Sequence, residues 1–306
     1  MSESPEVSVV VPLYLSEKTL PGFLDSLRAQ AFRDFETILV DSGPTDACAR
    51  VVALRAEPLA YAKSAVRLAP HQARTAGVER SRGRLVVFTD PDVYAAPDWL
   101  ERLVAAHRET GGVVVGALAC HGARWLDRGI HLCKFSKWLP GGSRRPVDMS
   151  PTVNMLIPRT LFEEVGGFCD DDEIVAGDTT LSRDLLRAGR TLLFEPLAVV
   201  EHHHLDRLGP FLRERWRRGI AYGRLRGLWL RPRRVHLLGL LVGSLLPLRI
   251  VSNLAHCARH AARAGWLGTL LATFPVVLLG FGASILGEAK GYAGSLAGPS
   301  RGSESS

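Results

Sequence analysis

Leu85-Val86-Val87-Phe88-Thr89-Asp90-Pro91-Asp92 is the stretch on which the reading of this chain turns. Four apolar residues in a row read as a strand buried on both faces. The strand runs into a turn that carries two carboxylates two residues apart. Oxygen ligands placed this way at a strand's carboxyl end suit a hard divalent cation, which can in turn hold a diphosphate. Asp and Pro also populate turns for purely local reasons, so the tetrapeptide takes its meaning from its surroundings.

Upstream, residues 7–11 read as a strand. Leu20, Phe23, Leu24, Leu27 and Ala31 give residues 20–31 helical spacing, and residues 35–40 form a second strand, stopped by Asp41-Ser42-Gly43-Pro44. A helix over 46–55 with Thr45 as its N-cap, a short strand around Val66 and Leu68, and a helix over 71–82 lead back to the strand ending at Thr89. A helix over 98–108 and a strand over 113–118 continue the alternation. Strands alternating with helices, and rich in Val, Ile and Leu, predict a parallel sheet covered on both faces. Ligands of such a sheet bind beyond the carboxyl ends of its strands. Those ends carry Pro12-Leu13-Tyr14, Asp41-Ser42 and Asp90-Pro91-Asp92. No G-x-G-x-x-G follows the first strand and no Walker A sequence is present, which argues against a nicotinamide or P-loop site.

From about Trp125 to Ser150 the periodicity is lost, and Gly141-Gly142-Ser143 reads as a mobile loop. Order returns at 154–157 and 160–168, followed by a helix over 178–188 and edge strands at 191–194 and 198–200. The last third is different. Residues 235–251 are apolar apart from Arg249, and residues 266–286 carry no charge over a length that can cross a bilayer. The first of these is interrupted by Pro247, and Arg259 and Arg263 between the two disfavour translocation, so a two-span hairpin and an interfacial hairpin both remain open.

The chain has 306 residues, 46% of them hydrophobic, and a formal net charge of +7. Between Arg213 and Arg234 lie nine Arg and one Glu, a local +8 that leaves −1 for everything else. A basic segment just before the most apolar stretch favours a membrane surface over nucleic acid. The five cysteines are scattered, with no CxxC pair, and read as reduced thiols. The polar, acidic start is not a signal peptide, so the N-terminal domain is expected in the cytoplasm.

Val7-Ser8-Val9-Val10-Val11-Pro12-Leu13-Tyr14, Leu27-Arg28-Ala29-Gln30, Phe35 through Asp46, Ala73-Arg74-Thr75-Ala76-Gly77, Phe88 through Asp92 and Gly166-Gly167-Phe168 occur in that order. Together they resemble the family 2 glycosyltransferases over roughly residues 6–205. The resemblance implies an α/β fold, the Rossmann-like nucleotide-diphospho-sugar transferase (GT-A) domain. The expected layout is a catalytic domain over 1–205, a basic interfacial helical segment over 206–234, hydrophobic membrane helices over 235–290 and a disordered tail over 291–306.

It also implies roles. Pro12 and Tyr14 would lie against the nucleotide, with Tyr14 at the base and Asp41 hydrogen-bonding it. Many members carry two acids where this chain has Asp41-Ser42, which bears on base choice. Arg74 would approach the nucleotide or its phosphates. Asp90 would face the ribose, and Asp92 with Asp90 would hold Mg²⁺ or Mn²⁺ on the diphosphate. His202, or failing it His204, would face the metal. Asp178 would be the base that deprotonates the acceptor, with Asp170, Asp171, Asp172 and Glu173 as rivals. Many members have Glu-Asp-x-Asp where this chain has Gly177-Asp178-Thr179-Thr180. The implied activity is inverting sugar transfer from a nucleoside diphosphate donor to a lipid or glycan acceptor near a membrane, without nucleic acid as a partner. A polyprenyl-phosphate glycosyl synthase and a non-catalytic membrane-bound scaffold are the alternatives.

Overall fold

The structure, a computed structural model, describes residues 4–168, 177–203, 207–230, 234–245 and 247–297. These fall into two compact units. The first comprises residues 4–121, 138–168 and 177–203, the second 122–137 and 207–297.

The chain order opens β1 (Val7–Leu13), α1 (Leu20–Arg28), β2 (Phe35–Asp41), α2 (Ala47–Ala53), β3 (Ala60–Lys63), α3 (Pro70–Arg80) and β4 (Leu85–Thr89). It continues β5 (Val93–Ala95), α4 (Trp99–Thr110), β6 (Val113–Cys120), α5 (Trp125–Phe135), β7 (Arg145–Val147), β8 (Asn154–Pro158), α6 (Arg159–Glu164), α7 (Gly177–Arg187) and β9 (Leu192–His202). Of these, only α5 belongs to the second unit. The strands form one sheet in the order β3-β2-β1-β4-β8-β6-β9-β5, with β7 also on β9. Val7, Val9, Val10 and Val11 of β1, and Val86, Val87 and Phe88 of β4, have no exposed surface, as expected for strands covered on both faces.

The expected all-parallel sheet is mixed. β3, β2, β1 and β4 are parallel, and β6 is parallel to β9, but β8 runs antiparallel to both β4 and β6. A doubly buried strand such as Met155-Leu156-Ile157 has the same apolar pattern in either direction, so its sequence does not encode its sense. The third strand lies at Ala60–Lys63, not at Val66 and Leu68; Val66 is exposed. It is an edge strand with polar residues and no apolar run to mark it. Thr45 does not cap α2: Asp46 stands at the cap position, one residue later. The stretch 125–150, read as irregular, holds α5 and β7.

The two expected edge strands over 191–200 are one strand of 11 residues, β9, flanked by β6 on one side and β5 and β7 on the other. Its interruption is a bulge. Pairing with β6 jumps from Gly116↔Glu195 to Ala117↔Val199, and Pro196, which has no N–H to offer the ladder, falls in the skipped residues. Buried Asn154 fills the gap. Its Nδ2 donates to the carbonyls of Ala117 (2.9 Å) and Ala198 (3.0 Å), and its Oδ1 accepts from Trp99 Nε1 (2.8 Å). Gly116 is required here because a Cβ would collide with the Asn154 amide.

The second unit holds α5 with α8 (Leu208–Leu230), α9 (Arg234–Leu245), α10 (Pro247–Arg263), α11 (Leu267–Ala272) and α12 (Phe274–Ala297). The uncharged stretch 266–286 is not one helix. It breaks at Thr273, and α12 then continues through Glu288 and Lys290 to Ala297, past the expected start of the tail at 291; residues 298–306 lie outside the described residues. Residues 274–296 form the one described helix long and apolar enough to cross a membrane by length and composition. Segments 237–243 and 248–263 pass only as a pair bent by 67°.

The basic helix α8 is not isolated. It packs along α12 in the same direction, Gly219 against the Ser284 carbonyl, Gly223 against the Glu288 carbonyl and Gly227 against Ser295. On the other side of the seam, Gly287 meets the Trp216 carbonyl and Gly291 that of Ile220. Glycines four residues apart on facing helices let the backbones touch. Glu288, 6% exposed, accepts from Tyr292 Oη (2.7 Å), Arg226 Nη1 (3.4 Å) and Arg249 Nη2 (3.3 Å), which joins α8, α10 and α12.

Candidate active site

Pro12, Tyr14, Asp41, Arg74, Asp90, Asp92, Asp178 and His202 all lie in the first unit. At the carboxyl ends of three neighbouring strands, Leu13, Asp41 and Lys63 are direct register partners. Tyr14 follows Leu13, keeps 40% of its surface exposed and carries the Arg67 guanidinium 4.5 Å over its ring. Leu15 next to it adopts a left-handed φ of 53°, a conformation that costs a non-glycine residue and recurs at functional turns. Pro12, paired with Val40, sets the end of the same strand.

Asp41 is fully buried. Its Oδ2 accepts from Tyr61 Oη (2.6 Å) and Lys63 Nζ (3.0 Å), and its Oδ1 accepts from the Gly43 amide (2.7 Å). Burial, with the bond to Asp41 added, pushes the Tyr61 hydroxyl well above the usual phenol range. Tyr61, Lys63 and Arg67 were not legible as site residues. Placing the strand at 60–63 would have set Lys63 opposite Asp41.

Arg74 sits on α3, whose first turn is capped by Gln72 accepting the Ala69 amide at 2.9 Å. The Arg74 side chain, 7% exposed, donates through Nη2 to Asp90 Oδ1, while its Nε is buried without a partner. A buried guanidinium with an orphan N–H, beside a half-exposed carboxylate, is poised to take additional acceptor oxygens such as those of a phosphate.

Asp92 stands where the turn enters β5. Its carbonyl accepts the His203 amide at 2.9 Å, and the next residue, Val93, pairs with His202. The structure therefore brings buried His202 alongside the Asp90-Pro91-Asp92 turn through strand pairing. His203, whose amide makes that bond to Asp92, was not singled out. Its ring stacks on His121 at 3.6 Å and meets Tyr94 edge-on at 4.1 Å. Burial, then the neighbouring His121, hold its pKa below the usual imidazole value. His204, Asp170, Asp171, Asp172 and Glu173 lie outside the described residues.

Asp178 heads α7, where a carboxylate is favoured by the helix dipole. Its Oδ1 accepts from the Thr179 amide (2.8 Å) and hydroxyl (3.3 Å). Gly177 and Thr180, which stand where the resemblance led acids to be expected, are both closely packed. A Cβ on Gly177 would lie 2.9 Å from the Cβ of His71, three residues before Arg74 on α3. Thr180 is 2% exposed and donates to the Gly177 carbonyl at 2.9 Å. Close approach at Gly177 thus docks the start of α7 on the helix that carries Arg74. The aromatic trio Phe88, Phe162 and Phe168 supports the same region, with Phe168 5.2 Å from Phe88. Gly166 (φ 82°) and Gly167 (φ 68°) supply the left-handed turn that delivers it.

Among the described residues no three or more His, Cys, Asp or Glu are assembled to hold a metal on protein atoms alone. Two carboxylates on one turn are nevertheless the donor set Mg²⁺ uses when diphosphate oxygens and water complete its shell, and an adjacent imidazole suits Mn²⁺. The residues fit a cation that binds together with the nucleotide.

Comparison with known proteins gives a consistent result. The family model described as glycosyl transferase family 2 matches residues 8–169, and that of glycosyl transferase family group 2 matches residues 118–283. The chain is 27% identical over 229 residues to glycosyltransferase AglE of Haloferax volcanii, covering 71% of this chain and 73% of that one. It is 36% identical over 138 residues to an undecaprenyl-phosphate 4-deoxy-4-formamido-L-arabinose transferase of Pseudomonas aeruginosa, covering 41% of this chain and 40% of that protein's length. Among solved structures, the mannosyltransferase PcManGT of Pyrobaculum calidifontis, in complex with GDP-Man and Mn²⁺, superposes with a TM-score of 0.56. That match covers 90% of this chain and 87% of the other, and at 19% identity it speaks to the fold.

Proposed function

This chain belongs to glycosyl transferase family 2, and we propose from that premise that it moves a sugar from a nucleoside diphosphate donor to a membrane-proximal acceptor, with inversion. The observation that carries this reading is the convergence at one set of strand ends. Arg74 is paired to Asp90, Asp92 shares the same turn, and His202 is held beside it. Tyr14 and the Asp41 cluster would receive the base end of the donor. Mg²⁺ or Mn²⁺ held by Asp90 and Asp92, with His202 adjacent, would neutralise charge on the departing diphosphate.

Asp178 acts as general base. The acceptor oxygen attacks the anomeric carbon, the bond from that carbon to the diphosphate oxygen breaks, and the acceptor's proton passes to the Asp178 carboxylate. Arg74 holds the leaving group in place. The test is Asp178→Asn. Loss of turnover with donor binding intact is expected; near-normal turnover would sink the assignment. Thermal-shift measurements with UDP-, GDP- and dTDP-sugars and Mn²⁺ identify the donor, since a ligand that binds the folded state stabilises it.

A second reading is supported by the arabinose transferase named for undecaprenyl phosphate. If the acceptor is a polyprenyl phosphate, the attacking oxygen is already an anion and Asp178→Asn keeps its turnover on that acceptor. Metal-dependent donor hydrolysis without acceptor would count against a purely scaffolding role. The second unit favours membrane attachment with the catalytic unit on the cytoplasmic side. Eleven large apolar residues among the described ones are exposed on it, Leu238, Val242, Leu248, Val251, Leu271 and Leu286 by more than half. Six Arg line α8, and together these features suit an anionic bilayer surface.

A further inference from the structure

We infer that Lys63, not Asp41, offers the hydrogen bond that selects the donor's base, and that this base carries a keto oxygen where cytosine and adenine carry an amino group. The inference rests on the reading of the strand ends as a nucleotide site. Asp41 has no exposed side-chain surface, and three donors already engage its two oxygens. Lys63 lies next to Asp41 in the sheet and 32% of its side chain is exposed, so of the two it is the group a base can reach.

Lys63 is also fixed in place. Of its three N–H bonds, one goes to Asp41 Oδ2 (3.0 Å) and one to the Thr45 carbonyl (2.6 Å). The third remains for a ligand. An ammonium has no acceptor, so at that point it matches O4 of uracil or thymine, or O6 of guanine. It sets N–H against N–H with the amino group of cytosine or adenine. Tyr61 and Asp41 are positioning residues: they hold the ammonium and neutralise it from behind.

The experiment measures equilibrium binding of UDP, CDP, GDP and ADP, each with Mn²⁺, to the full-length protein. Wild type is compared with Lys63→Met, Lys63→Arg and Asp41→Asn. A hydrogen bond to a charged group discriminates by about tenfold or more. Wild type is therefore expected to prefer UDP over CDP, or GDP over ADP, by at least about that factor. Lys63→Met is expected to lose most of the preference while binding the amino-base nucleotide about as before. Lys63→Arg is expected to keep it, and Asp41→Asn to weaken it. A merely structural role for Lys63 would lower all affinities together and leave the ratios unchanged. Unchanged ratios in Lys63→Met, or a preference for CDP and ADP in wild type, overturn the inference while leaving the nucleotide site standing. If no nucleoside diphosphate binds wild type, the site reading falls and the inference falls with it.

Discussion

Gly177 stands where the resemblance led an acid to be expected, and the spacing there decides what a substitution can do. A Cβ at this position lies 2.9 Å from that of His71, so the start of α7 must move or His71 must give way. Gly177→Glu, which would place the expected acid there, is expected to lower stability by about 1–3 kcal/mol, the usual cost of overpacking. It is also expected to reduce turnover, because α3 carries Arg74. Thermal denaturation and kcat measured together check this; a more active variant of normal stability contradicts it. Arg74→Lys keeps the charge but not the planar fork, so a rise in donor KM of roughly tenfold with a folded protein is expected, read from steady-state kinetics. Asp41 and Asp90 stood out in the sequence because each ends an apolar run, Asp92 because it shares the turn with Asp90, and Asp178 because of the resemblance to the family. Lys63, Tyr61, Arg67 and His203 were not, because their roles depend on which residue lies opposite in the next strand or ring, and that register is not written locally.

At the scale of elements, α8 and α12 are held by glycines at four-residue spacing. Such a stripe inside an Arg-rich helix leaves no hydrophobic period, which is why the sequence showed α8 only as a basic interfacial segment and not its helix partner. Gly223→Leu would drive a side chain into the Glu288 carbonyl and separate the pair. The expected result is loss of cooperative unfolding of the helical unit in detergent, with the sheet signal of the first unit retained in circular dichroism. The pairing also bears on how α12 meets lipid. From about Gly280 onward it is accompanied by α8, and Glu288 is buried against Arg226 and Arg249. The uncharged part of the helix, 274–286, is about 20 Å long at 1.5 Å per residue, short of the roughly 30 Å hydrocarbon core. An in-plane or half-depth seat is therefore expected. An impermeant thiol reagent added outside sealed vesicles whose cytoplasmic face is turned outward should reach cysteines placed at Thr269 and Lys290 alike. Labelling of only one would mean that the helix crosses.

For the whole molecule, two kinds of force act on the bilayer contact. The Arg charges weaken with salt, since the screening length falls to about 3 Å at 1 M, whereas exposed Leu, Val and Phe do not respond that way. The full-length protein is expected to stay with membranes through a 1 M salt wash and to leave them in detergent. Release by salt alone would assign the attachment to charge. The alternating plan of the first unit was legible from period and turn chemistry. The antiparallel β8 and the bulged β9 were not, because direction and register arise from pairings between segments far apart in the chain.

Asn154 belongs to that last class, and its position says something about assembly in time. Its three bonds reach residues 37, 44 and 55 positions away. The amide can be satisfied only after β6, β9 and α4 have all arrived, and each closure costs chain entropy before the bond repays it. Asn154 should therefore act as a late latch: its removal should leave the refolding rate of the catalytic unit nearly unchanged and shorten the lifetime of the finished sheet.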